Sequence, residues 1–367
     1  MKTLSSLVAA SLSAAVLAAC GGPGALASRS APLSELPSQS KIATVSQRKP
    51  SASPLYVLNS SGSPTYSVSI YAAGALSPLR NIAVGSYSGG FTVDPLGRLY
   101  VGVSSSPSGP GLLDIYANRG AKLVRTLHQT KPFGLLTVDW SGDLYTMCAP
   151  SRVCEYASAK QRVIRRIALG KFGASAYALA VDGAGNLAVD SLDSILIFAP
   201  GAAKPYWKIT RANAASIAFD TSGDLFVADT GSCCGTSSIA VYAPGGTSPI
   251  RTITDGNGQY PAAMSFDENG NLYVATYCLN SCGIPPAITE YAPDGTTPIR
   301  TVTEGLVGIV LAMTLDSSGN LYVANGGNRA HSDPNPGNLV VYAPGTTLPM
   351  RTVTNGIQNP IALGIGP

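Results

Sequence analysis

The feature that most constrains this chain is a strand–turn–strand unit of fixed length that occurs seven times. Its clearest copy, residues 291–303, runs Tyr-Ala-Pro-Asp-Gly-Thr-Thr-Pro-Ile-Arg-Thr-Val-Thr. An apolar run ends at the Tyr, Pro and Gly supply a turn, and β-branched residues favourable to a second strand follow. The other copies begin at Tyr71, Tyr116, Tyr156, Phe198, Tyr242 and Tyr342. Units of constant length, separated by segments of variable length, indicate a repeat architecture.

A second repeated unit precedes each of the last six copies. It contains an Asp three residues before a Gly, at Asp94, Asp139, Asp182, Asp220, Asp267 and Asp316. Asp at the first position and Gly at the fourth are typical of a type I turn between two strands. Each full repeat therefore contains four strands, and successive Tyr units lie 40 to 51 residues apart, the length of a β-propeller blade. No segment keeps an apolar period of 3.6, which favours an all-β chain over one with long helices.

The repeat counts predict how the ring closes. There are seven Tyr units but six Asp turns, and the first unit lacks an innermost strand. Residues 360–365, Pro-Ile-Ala-Leu-Gly-Ile, have the apolar character of that missing strand. We expect them to pair beside residues 55–59, since closure removes open strand edges. The prediction is an all-β, seven-bladed β-propeller over residues 54–367, closed by N- and C-terminal strands that share one blade.

The N-terminus has the pattern of an export signal. Lys2 is followed by an apolar run over residues 7–17 and then by Leu17-Ala-Ala-Cys20. The apolar run is too short for a stable transmembrane span, and its flanks are those of a secretory leader. The Leu-Ala-Ala-Cys segment closely resembles the lipobox of bacterial lipoproteins. The resemblance implies lipidation of Cys20 and a lipid-anchored location in the cell envelope; Gly21 implies the outer membrane if the cell is Gram-negative.

Residues 20–53 follow the leader and are rich in Gly, Ala, Ser and Pro. Such a segment cannot bury enough apolar surface to order itself, so we expect a disordered tether that begins with the lipidated Cys. The predicted division is thus a signal peptide over 1–19, a tether over 20–53 and the propeller over 54–367. The net charge of +4 is small and spread along the chain, which argues against nucleic acid as a partner. We expect a monomer.

The repeats resemble those of NHL-type β-propellers. The segment that carries the likeness best is 217–229, Ile-Ala-Phe-Asp-Thr-Ser-Gly-Asp-Leu-Phe-Val-Ala-Asp, and the likeness extends over nearly all of 55–367. The same superfamily contains gluconolactonase-like (SMP-30) and streptogramin lyase-like propellers. Two departures stand out. Familiar NHL members have six blades, whereas seven are predicted here, and their repeat unit is not usually followed by a Tyr-Ala-Pro-x-Gly turn. The resemblance identifies a scaffold and leaves the chemistry open.

The resemblance implies two enzyme classes. Streptogramin lyase-like propellers use inward-facing histidines, whereas the only histidines here are His128, in an outer strand, and His331, in a loop. Gluconolactonase-like enzymes gather Glu, Asn and Asp around a divalent ion at the central opening. By that likeness Asp190, Asp229 and Asn325 are candidate ligand-binding residues at the central face, although no Glu completes the set. Side chains of this kind also serve as hydrogen-bonding strand ends. We therefore assign no catalytic residue and no cofactor, and expect a divalent metal only under the enzyme reading.

Six cysteines remain after Cys20: Cys148, Cys154, Cys233, Cys234, Cys278 and Cys282. An even number in an exported chain favours disulfides. The pairs 148/154 and 278/282 each bracket a link between the second and third strands of a blade, where two strands come within disulfide distance. The adjacent pair 233/234 requires either a strained eight-membered ring or cross-pairing with Cys278 or Cys282. No Cys-x-x-Cys pair points to a zinc site.

These patterns favour an exported, lipid-anchored, non-catalytic platform that binds a protein or glycan partner. Its expected face carries the variable loops between second and third strands, at 230–238, 277–286 and 326–337. The alternative is a lactonase- or lyase-like enzyme that uses the central opening. One residue in each outer strand lies nine positions after the aromatic that begins the unit, and in six of the seven units it is an Arg. We predict that these charges discourage edge-to-edge pairing of strands; the alternative is that they form a basic rim that binds an anionic glycan or lipid. The seven residues are Arg80, Arg125, Arg165, Trp207, Arg251, Arg300 and Arg351.

Overall fold

The computed structural model describes the chain as strands and turns. The described residues are 5–6, 45–46, 53–60, 66–85, 87–104, 109–117, 119–129, 135–149, 151–158, 162–170, 176–191, 193–210, 214–229, 238–254, 259–277, 284–326 and 336–367. The described ranges contain no α-helix, and therefore no helix that is long and apolar enough to cross a membrane.

Thirty strands occur in these ranges. In chain order they are β1 (Ser5–Ser6), β2 (Val45–Ser46), β3 (Leu55–Ser60), β4 (Tyr66–Tyr71), β5 (Arg80–Gly85), β6 (Tyr87–Val93), β7 (Leu99–Ser104), β8 (Gly111–Ala117), β9 (Lys122–Gln129), β10 (Leu136–Val138), β11 (Leu144–Ala149), β12 (Arg152–Tyr156), β13 (Val163–Ala168), β14 (Ala176–Val181), β15 (Leu187–Ser191), β16 (Ser194–Phe198), β17 (Trp207–Thr210), β18 (Ala214–Phe219), β19 (Leu225–Asp229), β20 (Ser238–Tyr242), β21 (Arg251–Thr254), β22 (Tyr260–Phe266), β23 (Leu272–Tyr277), β24 (Ala287–Tyr291), β25 (Pro298–Val302), β26 (Ile309–Leu315), β27 (Leu321–Gly326), β28 (Asn338–Tyr342), β29 (Arg351–Val353) and β30 (Pro360–Ile365).

Strands β3 to β30 form seven four-stranded antiparallel sheets, the blades. Blade 1 has the order β30-β3-β4-β5, and blades 2 to 7 follow as β6–β9, β10–β13, β14–β17, β18–β21, β22–β25 and β26–β29. The innermost strands contact one another in the sequence β30, β6, β10, β14, β18, β22, β26 and back to β30. This closed ring confirms the predicted seven-bladed β-propeller.

Closure takes place within blade 1, as the repeat counts predicted. Strand β30 pairs antiparallel with β3, with Leu55 opposite Ile365 and Val57 opposite Leu363. The apolar side chains of β30 pack on both neighbours: Leu363 and Ile365 join the cluster shared with blade 7, and Ala362 joins the one shared with blade 2. The C-terminal strand therefore connects two blade interfaces as well as completing its own sheet.

The core of the propeller lies between blades. In the second strand of each blade, the first and third residues face the preceding blade, and the second and fourth face the following one. Leu99 and Val101 of β7, for example, pack with Tyr56 and Leu58 of β3. This alternation is the two-residue period of a strand buried on both faces. It allows each side chain to be assigned to one particular interface.

The Tyr series serves this packing. Tyr71 and Tyr342 end third strands and are buried against the preceding blade. Their hydroxyl groups donate hydrogen bonds to the links that enter their own blades, Tyr71 to Asn355 O and Tyr342 to Glu304 O, both at 2.6 Å. A buried Tyr hydroxyl needs such a partner. These rings are therefore structural.

The predicted Asp turns are present in blades 2 to 7. In each, the Gly amide donates to the Asp carbonyl, as from Gly97 to Asp94 at 2.9 Å. The Asp carboxylate also accepts backbone N–H groups two and four residues on, as from Leu96 and Arg98 to Asp94, both at 2.9 Å. Gly97 has a φ of 76°, a conformation that Gly adopts without the steric cost of a Cβ.

The residue after each turn Gly decides whether the second carboxylate oxygen of the turn Asp receives a hydrogen bond. In blades 4, 6 and 7 an Asn side chain donates to the second carboxylate oxygen, at 2.6, 2.8 and 2.9 Å. Blades 3 and 5 place an acidic residue there instead, Asp143 and Asp224. Burial, with a contribution from Asp143, raises the pKa of Asp139 to about 6. Burial likewise raises the pKa of Asp220, and the Asp224 charge adds to the rise.

We expect Asp224→Asn to stabilise the propeller by about 1 kcal/mol at pH 7, since it removes a repulsive charge and adds a donor to Asp220. A raised folded-state pKa means that stability is present at low pH and lost as the pH rises above the ordinary carboxyl range. The gain from the variant should therefore be smaller at pH 4 than at pH 7. Urea denaturation at the two pH values measures it. The reverse change, Asn271→Asp, should destabilise; equal midpoints for all three proteins would rule this explanation out.

The cysteine prediction is met where the structure describes it. Cys148 Sγ and Cys154 Sγ lie 2.00 Å apart, at disulfide-bonding distance, with the two Cα atoms 5.6 Å apart. The pair joins the end of β11 to β12, across the link between the second and third strands of blade 3. Cys233, Cys234, Cys278 and Cys282 lie outside the described residues.

Candidate binding cleft

Arginines of several outer strands reach across to the next blade. Arg165 Nη1 of blade 3 donates to Ala202 O in the Tyr-unit turn of blade 4 at 2.7 Å. Arg251 Nη2 of blade 5 donates to Pro293 O in the corresponding turn of blade 6 at 2.9 Å. These side chains occupy outer strands as predicted, but they also fasten neighbouring blades together. This contact leaves no local pattern in the sequence, because it joins residues more than thirty positions apart.

Each such arginine also lies against groups of its own blade. The Arg165 guanidinium lies 5.9 Å from the centroid of the Tyr145 ring, and that of Arg251 lies 5.6 Å from the Phe226 centroid. Arg165 Nε further donates to Glu155 Oε2 at 2.5 Å. The aromatic partner is the second residue of the second strand, on the face toward the next blade. A common blade interface thus contains an aromatic ring, an arginine stacked on it and a carbonyl from the next turn.

Blade 4 departs from this arrangement at both positions. Its second strand has Ala188 where the others have an aromatic residue, and its outer strand begins with Trp207 where the others have Arg. Trp207 is only 4% exposed and packs with Ala188 in the cluster between blades 4 and 5. Its Nε1 donates to Gly246 O in the turn of blade 5 at 2.7 Å. One indole therefore takes the place of the stacked pair and keeps the contact between the blades.

A cleft of about 360 Å³ opens at this junction. It lies at the end of the ring that carries the Asp turns, between the turns of blades 4 and 5. Its lining combines three aromatic side chains, of which Phe219 is one, with carboxylate, amide and hydroxyl groups. The residues that define it are Asp182, Asn186, Tyr206, Trp207, Thr221 and Ser222.

Tyr206 forms the exposed aromatic wall of the cleft. It precedes Trp207 and is 54% exposed. Its partial burial, together with the Asp182 charge, raises the pKa of its hydroxyl, so the phenol stays protonated at neutral pH and is able to donate a hydrogen bond. Asp182 is itself held by Asn186, whose backbone N–H and Nδ2 donate to the two carboxylate oxygens at 2.7 and 2.6 Å. The polar side of the cleft is therefore fixed in place before any ligand enters.

Two of the candidate central-face residues lie at the same interface as the cleft. Asp190 is buried and pairs with Ala178 and Ile195, which belong to the cluster between blades 4 and 5. Asp229 pairs with Ala214 of that cluster from the blade 5 side. Asp190 is the fourth residue of β15 and therefore faces blade 5. Asp229 is the fifth residue of β19 and therefore faces blade 4. They lie at the end of their strands away from the Asp turns, opposite the cleft.

The third candidate, Asn325, lies at a different interface. It is fully buried, and its Nδ2 donates to Gly305 O at 3.1 Å and to Asn338 Oδ1 at 2.7 Å. Gly305 belongs to the link between blades 6 and 7, and Asn59 makes the same kind of contact to Gly356 O in blade 1 at 3.1 Å. The structure thus gives Asn325 a role in holding the link. In the described part of the chain, no three His, Cys, Asp or Glu side chains are grouped to hold a metal ion.

Several predicted features fall outside the described residues. They are Cys20, His331 and the greater part of the three variable loops, at 230–237, 278–283 and 327–335. The cleft lies at the end of the blades that carries the Asp turns, and it was not predicted from the sequence. The available signal was the single Trp in a series with six arginines, which marks an interface that lacks the stacked arginine.

Fold and site together define a seven-bladed β-propeller with a partly aromatic cleft between two blades. No protein-family model matches the chain, and no curated protein matches it. Solved structures that match include one titled Kuenenia stuttgartiensis Hydrazine Synthase, at 15% identity and a TM-score of 0.49. The match covers 57% of this chain and 62% of that one, so it spans less than two thirds of that protein's length. At this identity and TM-score it carries no argument about function.

Proposed function

We propose that this propeller is a non-catalytic carbohydrate-binding platform and that the cleft between blades 4 and 5 is a binding site for a glycan. The observation that carries the proposal is the pairing of Tyr206 and Trp207 beside fixed polar groups in one cleft. A pyranose ring has an apolar face of C–H groups and an edge of hydroxyl groups. An aromatic wall beside amide, hydroxyl and carboxylate groups matches both.

The size of the cleft favours a glycan over a protein partner. Its volume of about 360 Å³ falls in the range of small-ligand sites, about 300–1,000 Å³. A stable protein interface requires about 800 Å² on each partner. The groups lining the cleft also favour a neutral sugar, because they include the Asp182 carboxylate and no Lys or Arg that would pair with an acidic sugar.

Calorimetric titration with a panel of soluble oligosaccharides, including N-acetylglucosamine and glucose tetramers, tests the site. Tyr206→Ala should weaken binding by about fivefold, since stacking on one ring is worth roughly 1 kcal/mol. Tyr206→Phe should bind nearly as well as the wild type, because it keeps the ring face.

The matched control is Ile250→Ala. Ile250 occupies the same position in blade 5 and is 61% exposed, but it does not line the cleft. It should leave the affinity unchanged. If Tyr206→Ala binds a sugar as tightly as the wild type does, the cleft is not the site. A thermal-shift assay with divalent ions and lactones tests the enzyme alternative, in which Asp229→Ala would abolish a shift that the wild type shows.

The proposal places the propeller in the cell envelope, anchored through Cys20, on the support of the Leu17-Ala-Ala-Cys20 segment. The corresponding prediction is that labelled fatty acid enters the wild-type chain when it is expressed in bacteria and does not enter Cys20→Ala. Equal labelling of the two chains would contradict lipid anchoring without affecting the cleft.

A further inference from the structure

The outer edge of the ring has a strongly uneven charge distribution. In blades 2, 3 and 4, the described outer segments 119–129, 162–170 and 199–210 contain three, three and two Lys or Arg residues, eight in all, and no Asp or Glu. In the other four blades, segments 72–85, 243–254, 292–304 and 343–354 contain four Arg residues together with Asp294 and Glu304. The small net charge of the chain conceals this asymmetry.

Most of the basic side chains at this edge face solvent. Within blades 2 and 3 the exception is Arg165, which is held by Glu155 and the turn of blade 4. The other five basic side chains of these two blades are exposed, and Arg119 among them donates a hydrogen bond to Pro367 O at 3.3 Å. Together with the apolar residues described next, these five form what we call the basic edge: Arg119, Lys122, Arg125, Arg162 and Arg166. Blades 2 and 3 share one core cluster, which keeps their outer strands side by side.

Apolar side chains are interspersed among these charges. Leu123 and Val124 of β9 are 49% and 44% exposed, and Ile164 of β13 is 46% exposed. Each adjoins a basic residue in sequence or across the edge, as in Lys122-Leu123-Val124-Arg125. Other blades also expose an apolar residue at the position before the outer-strand Arg, such as Leu79 at 71% and Ile250 at 61%, but blades 2 and 3 place it among several basic side chains. This combination matches a surface that both attracts an anion and accepts apolar groups.

We propose that the basic edge of blades 2 and 3 docks on an anionic lipid membrane. Basic side chains would contact the lipid headgroups, and Leu123, Val124 and Ile164 would enter the boundary with the acyl chains. A soluble polyanion would use the charges and leave the apolar side chains in water, which is why the interspersed pattern favours lipid. The inference uses residues remote from the cleft and does not depend on Cys20.

The test is co-sedimentation of the full chain carrying Cys20→Ala with vesicles of phosphatidylcholine alone or mixed with phosphatidylglycerol. Binding to the mixed vesicles at low salt, and its loss at high salt, are expected. Neutralising Lys122, Arg162 and Arg166 to Gln should weaken binding about a hundredfold, at roughly fivefold per charge. Val124→Ser with Ile164→Ser should also weaken it, although no charge changes.

The pair Ile250→Ser with Ile299→Ser is the matched control, because these residues at the outer edge of blades 5 and 6 are 61% and 57% exposed and lie on the other side of the ring from the basic edge. It should bind as the unsubstituted protein does, and all variants should keep its melting temperature. Equal binding to neutral and anionic vesicles, or unchanged binding after the three neutralisations, would overturn the proposal. Retention on a sulfated polysaccharide without binding to anionic vesicles would also overturn it, in favour of a soluble polyanion.

Discussion

Removal of residues 360–367 should unfold the propeller under conditions in which the intact chain is stable. These residues contain β30, which is the innermost strand of blade 1 and pairs with β3 along its whole length. Leu363 and Ile365 are only 2% and 4% exposed, and with the half-buried Ile361 they support two blade interfaces. Each buried aliphatic side chain is worth roughly 1.5–3 kcal/mol, so the three together approach the whole stability of a typical domain, about 5–15 kcal/mol.

Differential scanning calorimetry of the truncated chain is the measurement. Two further variants make the result interpretable. Removal of residues 30–36 from the predicted tether shortens the chain by a similar length and should leave the transition unchanged. Leu363→Ala should lower the free energy of unfolding by about 2–5 kcal/mol without removing backbone pairing. A truncated chain that melts within about two degrees of the intact one would show that β30 is dispensable for ring closure.

Replacement of Trp207 should have the second-largest effect. Trp207→Ala removes a buried indole and its hydrogen bond to Gly246 O, and should cost about 3–5 kcal/mol. Trp207→Arg restores the residue type of the other blades but places it beside Ala188, where no aromatic ring supports the guanidinium. Ala188→Tyr alone should also destabilise, because the new ring would overlap the space that Trp207 fills.

The double variant Ala188→Tyr with Trp207→Arg recreates the arrangement of the neighbouring blades, in which Arg251 stacks on Phe226 at 5.6 Å. Its free energy of unfolding should exceed the value expected from adding the two single changes by at least about 1 kcal/mol, in a double-mutant cycle measured by urea denaturation. Strictly additive effects would mean that the two positions do not compensate each other. A folded double variant is also expected to bind a sugar more weakly in the cleft, because the Trp207 ring is lost while Tyr206 and Phe219 remain.

The fold could be predicted because it repeats. Each Tyr unit and each Asp turn carries local turn chemistry, and seven copies at blade-length spacing allow few other architectures. Even the closure followed from the sequence, because an apolar strand at residues 360–365 had no partner nearby and one blade lacked a strand. Local signals and the global fold agree at these places, which is why residues far apart in the chain could be assigned to one sheet.

The candidate site was harder to predict, because it depends on which face of a strand each residue occupies. Asp190 and Asp229 look equivalent in sequence, yet a difference of one position in their strands turns Asp190 toward blade 5 and Asp229 toward blade 4. The cleft arises from two substitutions, Ala188 and Trp207, that are nearly twenty residues apart and meet only between blades. Contacts across a blade interface leave no local pattern in the chain, so a departure from the repeat was the one sequence signal.

The most direct test of the proposed function uses Trp207 as its own reporter. The chain contains two tryptophans, so Trp140→Phe leaves Trp207 as the only one. Titration of this variant with the oligosaccharide that binds best in calorimetry should shift or quench the Trp207 emission along a saturable curve, with the same dissociation constant as calorimetry gives. If the sugar binds and the Trp207 emission does not change, the glycan site lies elsewhere on the propeller.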